Sequence, residues 1–208
     1  MGNETALIFG AADCGDWSFL APYRGRAAVF CADGGVNTAR HAGFSPDYFI
    51  GDGDSGGVAP AGIPAVHLPV RKDLTDLQAA WEQAFSLGFR SVALTGCTGG
   101  RQDHHLAAVQ LLEIIARRGC AGVILDPGNE ISFLLPGEAI LAPGRFCHFS
   151  LLPADARAVV SIRGAEYDLD RGCLRRGDSL GVSNAFRQDP VRILVHEGPC
   201  YLILSDRI

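Results

Sequence analysis

Apolar and polar positions in the first 126 residues alternate between two patterns, which predicts an α/β organisation. Short apolar runs, bounded by glycine or charged residues, predict buried strands at Ala6–Phe9, Ala27–Ala32, Tyr48–Gly51, Ala65–Leu68, Ser91–Thr95 and Gly122–Leu125. Between them, a helical turn is predicted at Asp16–Tyr23 and helices at Gly34–His41, Asp73–Leu87 and Asp103–Arg118. Alternating strands and helices are typical of a parallel sheet with right-handed crossovers.

The pattern changes after Asp126-Pro127-Gly128-Asn129. Short apolar or alternating runs follow, separated by turn pairs such as Pro136-Gly137 and Arg171-Gly172, and no helical period persists. The predicted strands are Ile131–Leu135, Ala139–Leu141, Phe146–Leu152, Ala158–Ile162, Tyr167–Leu169, Val191–His196 and Tyr201–Leu204. We therefore predict two domains: a Rossmann-like parallel sheet with flanking helices in residues 1–127, and a small antiparallel β-sandwich in residues 128–208.

Composition narrows the class of protein. The chain has 208 residues, a net charge of -5 and a pI near 5.6, which argues against nucleic-acid binding. No apolar run approaches the roughly 18 residues of a membrane helix, so no membrane partner is expected. The seven cysteines are odd in number and form no CxxC pair. Scattered reduced thiols indicate a cytoplasmic protein.

Carboxylates follow two of the predicted strands. Asp33 comes directly after the second strand, and Asp52 and Asp54 follow the third. In open α/β sheets, ligands bind at this carboxyl edge. Two carboxylates about 4 Å apart repel by roughly 4 kcal/mol at an effective dielectric near 20, so such a cluster requires a cation. Oxygen ligands without His or Cys favour magnesium, although Asp52 and Asp54 also suit an ordinary turn.

Two helix starts carry further candidate residues. Asp73 and Asp76 fit a helix cap, and Asp73 is the predicted N-cap. Because Lys72 lies beside them, we predict a functional role for Asp76 as well. The segment from Thr95 to His105 contains Gly99, Gly100 and Arg101, which suit backbone and guanidinium contacts to phosphate. Asp103 suits a helix cap equally well. The spacing matches neither a Walker loop nor a dinucleotide fingerprint.

Four of these motifs, in this order, resemble the thiamine pyrophosphokinase family. They are Ala-Asp-Gly-Gly at 32–35, Gly-Asp-Gly-Asp-Ser at 51–55, Lys-Asp-Leu-Thr-Asp at 72–76 and Gly-Gly-Arg-Gln-Asp-His at 99–104. In the β domain, Gly-Val-Ser-Asn at 181–184 resembles that family's thiamine-binding end. The resemblance spans nearly the whole chain.

The resemblance implies transfer of pyrophosphate from ATP to the hydroxyl of thiamine, with release of AMP. It also implies magnesium and a homodimer with its sites at the interface, formed through the β domain. The implied metal ligands are Asp33, Asp52, Asp54 and Asp76, and the implied catalytic residues are Asp52, Asp54, Asp76, Arg101 and Asp103. The implied nucleotide contacts are Asp33, Gly34, Ser55, Lys72, Thr95, Gly99, Gly100, Arg101 and His104. The implied thiamine contacts are Asp76, Asp103, Ser183, Asn184 and Phe186, whose ring suits stacking on a cationic thiazolium.

Two alternatives share the same motifs. One is a pyrophosphokinase that acts on a pterin alcohol, and the other is a sensing module that binds the nucleotide or thiamine diphosphate without turnover. Four carboxylates exceed what sensing alone requires, so the sequence favours an enzyme. A turnover assay with thiamine and a pterin alcohol separates the three.

Overall fold

A computed structural model describes residues 5–51, 60–67 and 73–206 of the chain, which divides into two compact units, Met1–Pro127 and Gly128–Ile208. Asp52, Asp54, Ser55 and Lys72, all candidate site residues, lie outside the described ranges.

The N-terminal unit contains a parallel sheet. Its strands are β1 (Thr5–Phe9), β2 (Ala27–Ala32), β3 (Tyr48–Gly51), β4 (Ala65–His67), β5 (Ser91–Thr95) and β6 (Ala121–Leu125). They pair in the order β4-β3-β2-β1-β5-β6, and every pairing between them is parallel. β2 is buried along its whole length, as expected for a strand covered on both faces. The predicted mixed α/β organisation is confirmed.

Within the described residues, three α-helices connect these strands. They are α1 (Gly35–His41), α2 (Asp76–Ser86) and α3 (Gln102–Arg117), and a 3-10 helix spans Ser18–Tyr23. α2 buries a face that contains Ala80, Trp81 and Ala84, and α3 buries one that contains Leu112 and Ile115. Both faces follow the helical period in the sequence.

The prediction that Asp73 caps α2 is wrong. Thr75 is the N-cap: its backbone is extended (φ -70°, ψ 155°), and its Oγ1 accepts a hydrogen bond from the N–H of Gln78 at 3.2 Å. The helix therefore begins at Asp76, and Asp73 is an exposed residue that precedes it. Thr at this position satisfies one of the amides that a helix N-terminus leaves unpaired.

Thr75→Ala is expected to lower the free energy of unfolding by about 1 kcal/mol, because the backbone N–H of Gln78 loses its acceptor. Ser86→Ala is the matched control at the other end of the same helix, where the Ser86 hydroxyl donates to the carbonyl of Gln83. That change should lower the free energy of unfolding much less, because the exposed Gln83 carbonyl can bond to water instead. Urea unfolding of both variants measures the difference, and equal losses would contradict the cap.

The C-terminal unit consists of antiparallel strands. They are β7 (Asn129–Leu134), β8 (Gly137–Leu141), β9 (His148–Pro153), β10 (Arg157–Arg163), β11 (Leu169–Arg175), β12 (Asn184–Ala185), β13 (Val191–Glu197) and β14 (Cys200–Ser205). Within this unit, one set pairs in the order β12-β9-β14-β7 and the other in the order β11-β10-β13-β8. One apolar cluster takes buried residues from both sets, including Phe149 and Leu202 from the first and Val160 and Ile193 from the second.

The predicted strand at Tyr167–Leu169 is misplaced, since β11 begins at Leu169 and runs through Arg171-Gly172. That pair suggests a turn, yet the strand absorbs it as a β-bulge where the β10–β11 register shifts between Val160 and Ile162. Arg171 takes a φ of +48° there, and its N–H donates to Ser161 Oγ at 3.0 Å. The hydroxyl replaces a ladder partner that the bulge removes.

Candidate functional site

A cavity of about 410 Å³ lies in the N-terminal unit at the carboxyl edge of the parallel sheet. Its walls are the loops that follow β1, β2 and β5, together with the N-terminal turns of α2 and α3. The lining residues are Gly10, Ala11, Ala12, Ala32, Asp33, Gly34, Thr75, Asp76, Leu77, Gln78, Gly96, Cys97, Gly99, Gly100, Arg101, His104, Ala107, Ala108 and Leu111. Parallel strands bring these loops to one edge, which is where sheets of this type bind ligands.

Asp33 lies in the wall after β2 and is only 2% exposed. Its φ of +43° is in the left-handed region, which Asp tolerates better than most residues. Its N–H donates to the carbonyl of Ile50 at 2.8 Å, and its carbonyl accepts from the N–H of Val36 at 3.2 Å. A Cβ on Gly51 would lie 2.8 Å from the Cβ of Asp33. The turn therefore fixes Asp33, and glycine at the end of β3 leaves room for it.

The loops after β1 and β5 touch through their backbones. The Gly10 N–H donates to the carbonyl of Thr95, and the Ala12 N–H to the carbonyl of Gly96, both at 2.8 Å. A Cβ on Gly10 would lie 2.5 Å from the oxygen of Gly96, so only glycine permits this approach. The buried Thr38 of α1 donates its hydroxyl to the carbonyl of Gly10 at 2.6 Å. Backbone hydrogen bonds and the Thr38 hydroxyl therefore hold this wall of the cavity together.

Asp76 occupies the first position of α2 and lines the cavity next to its N-cap, Thr75. Asp33 and Asp76, two of the four predicted metal ligands, thus line the same cavity. Among the described residues, no group of three or more His, Cys, Asp or Glu side chains is arranged to hold a metal ion. The donor set that the described part of the cavity offers is two carboxylates, a chemistry that fits magnesium.

Arg101 forms a two-pronged ion pair with Asp103 at the start of α3. Its Nη2 donates to Oδ2 at 2.6 Å and its Nε to Oδ1 at 3.2 Å, and both side chains are exposed. The hydrogen bond from Arg101, with a smaller contribution from the His104 backbone N–H, lowers the pKa of Asp103 from 3.8 to about 2. A depressed pKa means that the pair stabilises the fold above about pH 4 and loses that contribution as the pH falls towards 2.

Two of the predicted nucleotide contacts lie in the glycine turn that precedes α3. Gly99 and Gly100 both have positive φ (+75° and +58°) and line the cavity with Gly34, Arg101 and His104. Thr95 is different, because its hydroxyl is fully buried and donates to the carbonyl of Leu125 at 3.0 Å.

The predicted thiamine contacts of the C-terminal unit occupy three different environments. Ser183 is exposed with a φ of +60°, and its N–H donates to Ser150 Oγ at 3.0 Å. Asn184 is buried, and its side chain bonds to the backbone of Tyr167. Phe186 is half-buried and packs on Phe149, with ring centroids 5.3 Å apart.

Several lining residues were not foreseen from the sequence. The loop Gly10–Ala12 follows β1 as Asp33 follows β2, so the strand-end rule applied to every strand would have found it. The apolar face of α3 (Ala107, Ala108 and Leu111) carries no such signal, because its pattern equals that of a helix packed on a core. Cys97 is also unforeseen, and burial raises the pKa of its thiol to about 12, so it is a neutral apolar group.

No described helix combines the length and apolarity needed to cross a membrane.

Two family models match the chain: "Thiamin pyrophosphokinase, catalytic domain" over residues 24–124, and "Thiamin pyrophosphokinase, vitamin B1 binding domain" over residues 140–199. A thiamine pyrophosphokinase of Bacillus subtilis is 29% identical over 161 residues, which cover 73% of this chain and 75% of that protein.

Solved structures give the same result at the level of the fold. The crystal structure of thiamine pyrophosphokinase from Bacillus subtilis matches with a TM-score of 0.90 at 24% identity, and covers 98% of this chain and 100% of its own. The structure from Geobacillus thermodenitrificans matches with a TM-score of 0.85 at 28% identity, and covers 98% of both chains.

The fold, the cavity and these matches define a transferase of the kinase class. The chain belongs to the thiamine pyrophosphokinase family, and the resemblance stated from its motifs is confirmed.

Proposed function

We propose that the chain transfers the pyrophosphoryl group of ATP to the hydroxyl of thiamine, with magnesium, and releases AMP. The observation that supports this most is the composition of one cavity: two carboxylates, Asp33 and Asp76, face the same space as a glycine turn and Arg101. Carboxylates suit a divalent cation, while backbone amides and a guanidinium suit phosphate. Pyrophosphoryl transfer requires both kinds of group in one place.

In the proposed reaction, the thiamine hydroxyl oxygen forms a bond to the β-phosphorus of ATP. The bond from that phosphorus to the oxygen it shares with the α-phosphate breaks, and AMP leaves with the electron pair. The hydroxyl proton passes to a carboxylate of the site. Asp33 and Asp76, with Asp52 and Asp54 from the undescribed segment, are the residues that would hold magnesium. Magnesium bound by these carboxylates supplies positive charge that offsets the charge of the phosphates.

The other residues position the nucleotide. The glycine turn at Gly99 and Gly100 lets backbone N–H groups approach the phosphate oxygens, and the N-terminus of α3 favours the same negative charge. Arg101, with His104, Gly34, Ser55 and Lys72, completes the proposed nucleotide contacts, and Thr95, whose buried hydroxyl bonds to Leu125, would support the loop that carries them. In the proposed mechanism, the Asp103 carboxylate pairs with the Arg101 guanidinium in the free chain, and a bound phosphate replaces that carboxylate. Asp76 and Asp103, with Ser183, Asn184 and Phe186, are the proposed thiamine contacts.

The spent nucleotide tests the reaction class. With thiamine, ATP and magnesium, chromatography is expected to show AMP and thiamine diphosphate in equal amounts. ADP as the sole nucleotide product would contradict pyrophosphoryl transfer. Turnover of a pterin alcohol but not of thiamine would assign the substrate to the alternative enzyme, and binding of both ligands without turnover would assign a sensing module.

Arg101→Lys is expected to lower kcat/KM for ATP by about tenfold or more, because lysine keeps the charge but loses the fork. Arg187→Lys is a control: Arg187 also makes an exposed two-pronged pair, with Glu166 at 2.6 and 2.7 Å, in the C-terminal unit. Thermal unfolding of both variants should be close to that of the unmodified chain, since exposed ion pairs add little stability. Similar kinetics for the two variants would remove Arg101 from the site.

We further propose the finer architecture and assembly expected from the sequence. The parallel order β4-β3-β2-β1-β5-β6 supports a Rossmann-like description of residues 1–127, and the shared apolar cluster supports a β-sandwich in residues 128–208. The proposed roles are nucleotide and metal binding for the first domain, and thiamine binding and dimerisation for the second. Sedimentation measures the proposed homodimer directly. A cytoplasmic location stays a prediction.

A further inference from the structure

The hydroxyl of Thr38 connects helix α1 to the loop that follows β1. Its Oγ1 donates to the carbonyl oxygen of Gly10 at 2.6 Å and lies 2.9 Å from the carbonyl oxygen of Gly35 in its own helix. The contact with Gly35 is ordinary for threonine in a helix, whereas the bond to Gly10 reaches 28 residues back along the chain. Thr38 is 4% exposed and Gly10 is buried, so water does not reach this bond.

Gly10 is bonded in turn to the loop that follows β5. Its N–H donates to the carbonyl of Thr95, and the N–H of Ala12 donates to the carbonyl of Gly96, both at 2.8 Å. Residues 10–12 and 96–101 together form what we call the glycine wall of the cavity. Because the two loops are bonded to each other, a shift of Gly10 also shifts segment 96–101, which carries the proposed phosphate contacts.

The same helix begins at the turn that carries Asp33. α1 starts at Gly35, and the carbonyl of Asp33 accepts a hydrogen bond from the N–H of Val36 at 3.2 Å. A Cβ on Gly35 would collide with the carbonyl oxygen of Phe9, so the start of the helix lies directly against the end of β1. Thr38 follows one helical turn later. The helix therefore joins Asp33 to the glycine wall, with the Thr38 hydroxyl as the bond between them.

We propose that Thr38 is a positioning residue for the nucleotide, because its hydroxyl fixes the glycine wall relative to Asp33. This inference rests on the proposed function, in which magnesium-bound ATP contacts a carboxylate and the glycine wall at once. Thr38 does not line the cavity, so it acts through Gly10. Without the hydroxyl, the buried Gly10 carbonyl loses its donor, which favours a shift of the loop. A displacement of about 1 Å is enough to weaken contacts with a bound substrate.

Two substitutions that differ by a single oxygen atom test this role. Thr38→Ser keeps the hydroxyl and Thr38→Ala removes it, while both lose the methyl group. The dissociation constant of a non-hydrolysable ATP analogue, measured by calorimetry with magnesium, should stay within about twofold in Thr38→Ser and rise about fivefold or more in Thr38→Ala. Equal dissociation constants for the two variants would overturn the inference.

Kinetics separate a positioning role from a loss of stability. Thr38→Ala should raise KM for ATP about fivefold or more and leave KM for thiamine unchanged. A purely structural role would lower the folded fraction, and with it the maximum rate, at unchanged KM for both substrates; that result contradicts positioning. Should Thr38→Ala not fold, Thr38→Val replaces it in both measurements, because valine keeps the branched shape and lacks the hydroxyl.

Thr5→Val is the control at the opposite edge of the same sheet. The Thr5 hydroxyl donates to Ser91 Oγ at 3.2 Å and joins the first residues of β1 and β5, at the ends away from the cavity. Its loss should leave the dissociation constant of the analogue within about twofold. Weakening equal to that of Thr38→Ala would mean that any loosening of these strands disturbs the site, and would remove the specific role of Thr38.

Failure of the inference can be told apart from failure of the proposed function. If the unmodified chain binds the analogue but does not convert thiamine to its diphosphate, the proposed function fails, and the comparison of Thr38→Ser with Thr38→Ala still decides the role of Thr38. If turnover is present and the two variants bind the analogue equally, the inference alone fails. If the unmodified chain does not bind the analogue, both fail.

Discussion

Asp76→Asn is expected to lower the turnover of thiamine by about 10²–10³-fold with saturating ATP and magnesium. The change preserves shape and removes one charge from the cavity, where the proposed reaction requires a carboxylate for the cation. The fold should persist, because Thr75 and not Asp76 caps α2. The loss of a favourable charge at the helix N-terminus costs about 0.3–1 kcal/mol. Rates of AMP release and thermal unfolding measure the two effects separately.

Asp73→Asn is the matched control for this prediction. Asp73 lies three positions earlier in the same motif and is exposed, and it neither caps the helix nor belongs to the described cavity lining. Its substitution should leave turnover within about twofold of the unmodified chain, as expected for an exposed surface position. Equal losses of turnover in both variants would mean that activity depends on the total negative charge near this turn. Asp76 would then no longer be a proposed metal ligand.

Gly51→Ala is expected to reduce both stability and activity, although residue 51 does not line the cavity. The added Cβ would lie 2.8 Å from the Cβ of Asp33 and 2.9 Å from its Cα, so the backbone of Asp33 has to move. Overpacking of this kind costs about 1–3 kcal/mol. Because Asp33 is a proposed metal ligand, we also expect a higher magnesium concentration for half-maximal activity.

Gly128→Ala is the control for the glycine substitution, since a Cβ there meets no atom within 4 Å. Its effect on unfolding should be small, and its magnesium requirement should be unchanged. If Gly51→Ala lowered stability but left the magnesium requirement unchanged, the displacement of Asp33 would be structural only and its proposed ligand role would be wrong.

The sequence predicted the elements of the N-terminal unit well, because buried parallel strands are continuous apolar runs. Ala27–Ala32 and Ser91–Thr95 were predicted with the bounds that they have. The start of α2 was wrong because Asp73, Thr75 and Asp76 are all plausible caps, and only backbone geometry decides which of them accepts a helix amide. β11 was misplaced for a related reason: a bulge at which Ser161 accepts the Arg171 N–H lets the strand continue through Arg171-Gly172.

The candidate site was predictable where motif residues follow strands, as Asp33 does, or begin helices, as Asp76 and Arg101 do. Side-chain partners were not predictable. Nothing in the spacing indicates that Arg101 pairs with Asp103, or that Asn184 bonds to Tyr167, seventeen residues earlier. Such contacts depend on the three-dimensional course of the loops, which local propensity does not determine.

The close backbone contact of the loops after β1 and β5 determines which side of the cavity could be redesigned. Gly10 and Gly96 exclude any side chain, since a Cβ on either one would lie within 2.6 Å of the carbonyl oxygen of the other. Ala107, on α3, is an exposed alanine that also lines the cavity, and a larger side chain is possible there. Changes to the shape of the cavity should therefore begin with the helix, because selection at positions 10 and 96 would return only glycine.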